Sequence, residues 1–260
     1  MKFLKNIVRI LLYGALSTPV CASQSVFAEL DKDYAEFYSA DRFVRMAYVF
    51  TGASLLASSD ADQNIQNDYQ TNIRSAASDD FSAVVKTFGE GKYLIPLSLL
   101  SAALGPAGEH SSGRSAIANW GAITARAYLT AGPMLLATQR LTGASRPSEE
   151  PYQSDWHAFN DSNGVSGHAF IGAVPFITIA TMYNDNPYIK TSAYIASGFT
   201  ALSRVNDNQH YLSQAILGWY LGWEAVDAVN TTDSINDKNY RLQPLAGYQS
   251  IGLQIAWTWY

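Results

Sequence analysis

Residues 211–229 read YLSQAILGWYLGWEAVDAV and are apolar on nearly every side of a helix. A helix without a polar face lies either at the centre of a bundle or in lipid. Gln214, Glu224 and Asp227 interrupt the run short of the roughly 18 uninterrupted apolar residues of a spanning helix. A second segment of the same kind, AFIGAVPFITIATMY at residues 169–183, is broken by Pro175. Both are therefore expected as central helices of a bundle.

Outward from this pair the chain reads as further helices. One or two are expected over residues 34–58, one over 80–88, a short apolar one over 93–104 and a long alanine-rich one over 115–141. Residues 58–70, SSDADQNIQNDYQ, read as a polar loop; the DADQN within it lacks the glycine and glutamate that a calcium loop requires. Near the end, Ile251, Leu253, Ile255, Trp257 and Trp259 alternate with smaller or polar residues, which is strand period. The expected fold is all-α, a helical bundle closed by a short C-terminal β-hairpin.

The chemistry gathers just before the two apolar helices. NGVSGHAF places Ser166, Gly167 and His168 where a polar loop turns into a helix. There the first backbone N–H groups lack partners and the helix dipole adds positive potential, which suits an anion. SRVNDNQHYLSQ, residues 203–214, places Arg204 in a loop and His210 at the start of the other helix, with Gln214 four residues on and sharing its face. Arg204 offers a planar fork for phosphate oxygens. A third cluster, TQRLTGASRP, ends in Arg146-Pro147.

In this order the three clusters resemble the type 2 phosphatidic acid phosphatase superfamily, which also contains vanadium haloperoxidases and bacterial acid phosphatases. Its pattern is a lysine seven residues before Arg-Pro, then Pro-Ser-Gly-His, then Ser-Arg, five residues, His, three residues and Asp. Arg146-Pro147, Ser166-Gly167-His168, Ser203-Arg204 and His210 fit it. The resemblance implies a helical bundle in which His210 takes the phosphoryl group and His168 protonates the leaving oxygen. Arg146, Arg204, Ser166 and the Gly167 N–H would hold the phosphate oxygens, with no metal. Three positions depart. Gln139 stands where the family has lysine, Val165 where it has proline, and Gln214 where it has aspartate. Arg140 neighbours Gln139, but one helical step turns about 100°, away from the site. Gln214 can accept the hydrogen bond that the aspartate would accept from the histidine, but it brings no charge. In the serine-protease triad such a swap costs about 10⁴ in rate, partly through a wrong tautomer.

The implied activity is hydrolysis of a phosphomonoester, a lipid phosphate or pyrophosphate through a phosphohistidine, with no cofactor. Two alternatives use the same pocket: a weak or inactive binder of phosphate or a lipid headgroup, and a haloperoxidase with vanadate in the phosphate site. The implied partner is a phosphorylated small molecule or lipid. A net charge of −5 without a basic stripe speaks against nucleic acid. The chain is 48 % hydrophobic and only 15 % charged, which suits helices buried on most sides or association with a membrane surface.

The first residues look like an export signal. Lys2 and Lys5 precede a mostly apolar run over residues 7–16, and small-residue cleavage sites follow at Ala22 and Ala28. The expected organisation is a signal over residues 1–28 and a single phosphatase-like domain over 29–260. Cleavage at Ala28 removes Lys2, Lys5, Arg9 and the single cysteine, Cys21, but no acidic residue, and so takes the net charge from −5 to −8. The expected location is periplasmic or envelope-associated in a Gram-negative-type bacterium. His110 and His157 show no metal-ligand spacing; His157 is read as a surface residue beside Trp156.

Overall fold

The computed structural model describes residues 26–27, 29–104, 112–149 and 153–236. All but residues 26 and 27 of the expected export segment lie outside these residues, as do His110 and the terminal hairpin. Among the described residues the elements are helical. They are α1 (Leu30–Phe37), α2 (Ala40–Ala57), α3 (Asp60–Asp68), α4 (Ala76–Val85), α5 (Gly91–Ala103), α6 (Ser112–Thr142), α7 (Gly167–Met182), α8 (Pro187–Asn206) and α9 (Leu212–Asn236). A π-turn (Tyr69–Ile73) extends α3, and a 3₁₀ turn (Lys86–Gly89) joins α4 to α5. No helix among the described residues is long and apolar enough to cross a membrane.

The two apolar segments are the centre of the bundle, as their lack of a polar face requires. Phe170, Val174 and Ile177 of α7 and Leu217, Leu221 and Val226 of α9 are buried together with Ile123, Ala127 and Ala131 of α6. α7 packs on both α8 and α9. Small residues set the spacing. A Cβ on Gly218 of α9 would run into the Ser166 carbonyl at the head of α7, and one on Gly172 would run into Thr200 of α8. Glycine at 218 thus lets α9 pass directly under the start of α7.

Glu224 and Asp227, the charges that interrupt residues 211–229, meet arginines. Arg42 of α2 donates to Glu224 Oε2 at 2.8 Å, to Asp227 Oδ2 at 2.8 Å and to Glu36 Oε1 at 2.9 Å. Arg45 adds a bond to Glu224 at 3.0 Å. Arg126 of α6 forms a two-pronged pair with Asp33 of α1, both bonds 2.7 Å, and reaches Asp233 of α9. These clusters tie α1 and α2 to α6 and α9.

Two expectations need correction. Residues 58–70 are not a loop: most of them form α3 and the start of the π-turn. The buried face of α3 is polar. Asp62 and Gln66, one turn apart, are both buried, while Ile65 is exposed. A hydrophobic period cannot reveal such a helix. Arg204 is likewise not in a loop but in the last turn of α8, a helix that starts on Pro187 with Asn186 accepting from the N–H groups of Tyr188 and Ile189.

Candidate active site

Four helix ends converge. Ser166 is the N-cap of α7: its Oγ accepts from the Ala169 N–H at 3.3 Å, and its own N–H donates to the Gln214 carbonyl at 3.0 Å. The end of α6 delivers Arg146 through a turn at Gly143, whose φ of +61° is left-handed and where a Cβ would strike the His157 carbonyl. At the end of α8 the N–H groups of Gln209 and His210 both return to the Arg204 carbonyl, at 2.9 and 3.2 Å. Asn208 makes that reversal with φ +55°, a conformation asparagine tolerates. The five-residue spacing between Arg204 and His210 is therefore the length of a helix-ending turn, and it brings the two side by side.

His210 is almost fully buried. Its Nδ1 lies 2.9 Å from Gln214 Oε1. That oxygen also accepts from the Tyr211 N–H at 3.2 Å, and Gln214 Nε2 donates to the Ser145 carbonyl at 2.8 Å. Burial, together with the charges of Arg204 and Arg146, lowers the His210 pKa to about 4 although the Gln214 bond opposes this. The ring is neutral at physiological pH.

Arg204 is 8 % exposed, and its Nε is buried without a hydrogen-bond partner among the described residues. Its nearest carboxylate, Asp207, is 3.9 Å away. Asp207 is instead held by Ser82 Oγ at 2.6 Å and Lys86 Nζ at 3.3 Å, and these bonds outweigh burial to keep its carboxyl below the usual range. Arg146 donates to Asn163 Oδ1 at 3.0 Å and Gln209 Oε1 at 3.1 Å. A buried guanidinium costs several kcal/mol unless its charge is met. Arg204 thus has the chemistry of a group that can bind an anion.

His168 lies at the wall of a cleft of about 600 Å³ that also exposes Arg204, Lys86 and Gln209. Burial and Arg204 lower its pKa, while Glu90 pulls the other way with a carboxylate oxygen 3.6 Å from Nε2, long for a hydrogen bond. Gln139 does not reach this cleft as a cation would: its Nε2 donates to the Val165 carbonyl at 2.9 Å and lies near Gly167. Arg140 is exposed, and so is His157.

The structure thus brings His210, Gln214, His168, Arg146, Arg204, Ser166, Gly167 and Gln139 into one region. Several neighbours carry no signal in the three clusters. Glu90 sits just past the helix expected over residues 80–88, and Asp207 and Gln209 lie in the spacer between Arg204 and His210. Asp62 accepts from the Ser213 N–H at 3.2 Å and from Ser213 Oγ at 2.5 Å, and so caps α9 beside His210. Only the paired polar residues Asp62 and Gln66, four apart, could have pointed to it.

Residues 120–231, which contain all three clusters, match the model of the PAP2 superfamily. No curated protein matches the chain. Among solved structures the chain is similar to the first transmembrane PAP2 type phosphatidylglycerolphosphate phosphatase from Bacillus subtilis. The identity is 16 % and the TM-score 0.44, over 84 % of this chain and 98 % of that one.

Proposed function

We propose that the chain is a metal-independent phosphatase acting on phosphomonoesters through a phosphohistidine on His210. The observation that supports this most is the pairing of a neutral, buried His210 with Arg204, a buried cation whose Nε has no partner among the described residues. Fixed donors of this kind stabilise the charge that spreads over a transferring phosphoryl group.

In this reading Arg204, Arg146, Ser166 and the N–H groups at the head of α7 hold the phosphoryl oxygens. His210 Nε2 attacks phosphorus while Nδ1 keeps its hydrogen on Gln214. The bond from phosphorus to the ester oxygen breaks, and protonated His168 gives that oxygen its proton. Water then attacks phosphorus, returns a proton to His168 and breaks the N–P bond, releasing phosphate and neutral His210. Glu90 keeps His168 more basic than burial alone would leave it.

The cleft beside His168 is lined by charged and amide side chains, which suits a leaving group that is polar next to the phosphorus. A lipid phosphate is the second reading. It is favoured by an apolar groove of about 510 Å³ around Val205, lined by Ile195, Leu202, Ile216 and Trp219. In either case residues 29–260 act as one exported domain in the cell envelope, and vanadate would compete for the phosphate position.

The test is hydrolysis of p-nitrophenyl phosphate and of a diacyl lipid phosphate in micelles, beside His210→Ala. Expected are turnover, an acid-labile phosphoenzyme, and loss of both in the variant. Turnover that survives His210→Ala sinks the phosphatase mechanism. Phosphate-dependent thermal stabilisation without any turnover would point to a binder, and bromide oxidation with vanadate and peroxide to a haloperoxidase.

A further inference from the structure

The structure assigns Gln214 a positive role: its doubly anchored amide fixes the tautomer of His210, and its surroundings are built for an amide and against an ionised acid. This rests on the reading of His210 as nucleophile. Two of the amide's contacts are with backbone groups, whose roles are fixed. The Tyr211 N–H can only donate and meets Oε1 at 3.2 Å; the Ser145 carbonyl can only accept and meets Nε2 at 2.8 Å. Turning the amide over would set NH₂ against N–H at one end and carbonyl against carbonyl at the other. The orientation is therefore settled without reference to the histidine.

Oε1 sets an acceptor 2.9 Å from Nδ1 and so favours the hydrogen there, against a weaker pull from the Asn163 backbone, which leaves the lone pair on Nε2. An amide in place of a carboxylate costs catalysis largely when it rotates and donates to the ring. Here that rotation is blocked at both ends. Ser145 is itself held, its N–H donating to the Gln153 carbonyl at 3.0 Å, and the next residue is Arg146. One fully buried side chain thus registers the nucleophile against a phosphate-binding arginine.

The same geometry tells against a carboxylate. A glutamate side chain of equal length would turn a second oxygen toward the Ser145 carbonyl, acceptor against acceptor, in a place where the side chain is fully buried. It would fit only when protonated. An aspartate would be too short to span from the ring to Ser145 and would leave that carbonyl unpaired.

The experiment compares wild type, Gln214→Glu and Gln214→Met as full chains. Long-range ¹H–¹⁵N spectra, with His210→Ala to assign the signal, report the tautomer. Hydrolysis of p-nitrophenyl phosphate from about pH 5 to 8 gives kcat and KM. Expected for wild type is a single Nδ1–H form. Gln214→Met should mix the tautomers and lower kcat by about a hundredfold with little change in KM. Gln214→Glu should work at the acid end and lose kcat as the introduced carboxyl ionises, more steeply than wild type.

A Gln214→Glu enzyme as fast as wild type at pH 7 to 8 would overturn the proposal, as would an Nε2–H tautomer in wild type or an unchanged kcat in Gln214→Met. Failure of the underlying reading looks different. An Nδ1–H signal lost in Gln214→Met, in a protein with no turnover, would uphold the lock and remove His210 as nucleophile.

Discussion

His210 pays for its neutrality in a way that pH reveals. An unfolded histidine titrates near 6.5, whereas the folded one does so at about 4. Between these values the unfolded chain binds more protons, so stability rises with pH across the window and is lost as pH falls through it. The full difference is about 3 kcal/mol. Thermal midpoints followed from about pH 4 to 7 should climb for the wild type and climb less for His210→Asn; equal slopes would argue against a buried neutral ring. Activity carries the opposite demand at its alkaline side. His210 must be neutral, which needs a pH above about 4, and His168 must be protonated, which fails as pH rises through a value below 6.5. The kcat/KM profile is therefore expected to peak on the acid side of neutrality. The spacing of Arg146, Ser166, His168, Arg204 and His210 was legible because turns and caps have fixed lengths in sequence. Ser145 was not, because it acts through its backbone carbonyl, which its side chain does nothing to advertise.

Among the elements, α7 and α9 were legible from apolar content alone, and α3 was not. The difference is what each buries. α3 spends its inner face on hydrogen bonds: Gln66 Nε2 donates to the Val205 carbonyl at 3.1 Å and to Asn208 Oδ1 at 2.7 Å, while Asp62 caps α9. Those partners are the turn and the helix head on either side of His210, so an element that looked like a surface loop braces the site from behind. The crossing of α9 under α7 is a second place where geometry is decided by one residue. Gly218→Ala would push a methyl group into the Ser166 carbonyl. Overpacking of this kind costs about 1–3 kcal/mol, and here the displaced group is the cap of the proposed phosphate-binding helix. The expected result is a lower thermal midpoint together with a raised KM. Unaltered kinetics in the variant would mean that the head of α7 does not bind substrate.

Across the whole molecule, the proposed chemistry gathers at the start of α7 and α9, while Glu224, Asp227 and Asp233 sit well down α9. There Arg42, only 3 % exposed, faces Glu224, which is wholly buried, and Arg126 faces an equally buried Asp33. Burial makes both arginines costly, but their carboxylate partners outweigh it and raise their pKa above the ordinary arginine value. Removing one partner of a buried pair costs about 3–5 kcal/mol, because the other charge is left without compensation. Arg42→Met should therefore lower the unfolding free energy by that amount while leaving KM at low temperature unchanged. A loss of less than about 1 kcal/mol would mean that Arg45 alone can satisfy Glu224. These same pairs give the protein an unusual response to heat. The hydration of ions weakens as temperature rises, so the cost of having buried Arg42 and Glu224 shrinks on warming, while apolar burial stops gaining. The attachment of α1 and α2 is thus relatively stronger in a hot protein than in a cold one, and chilling is the condition under which these two helices hold on least firmly.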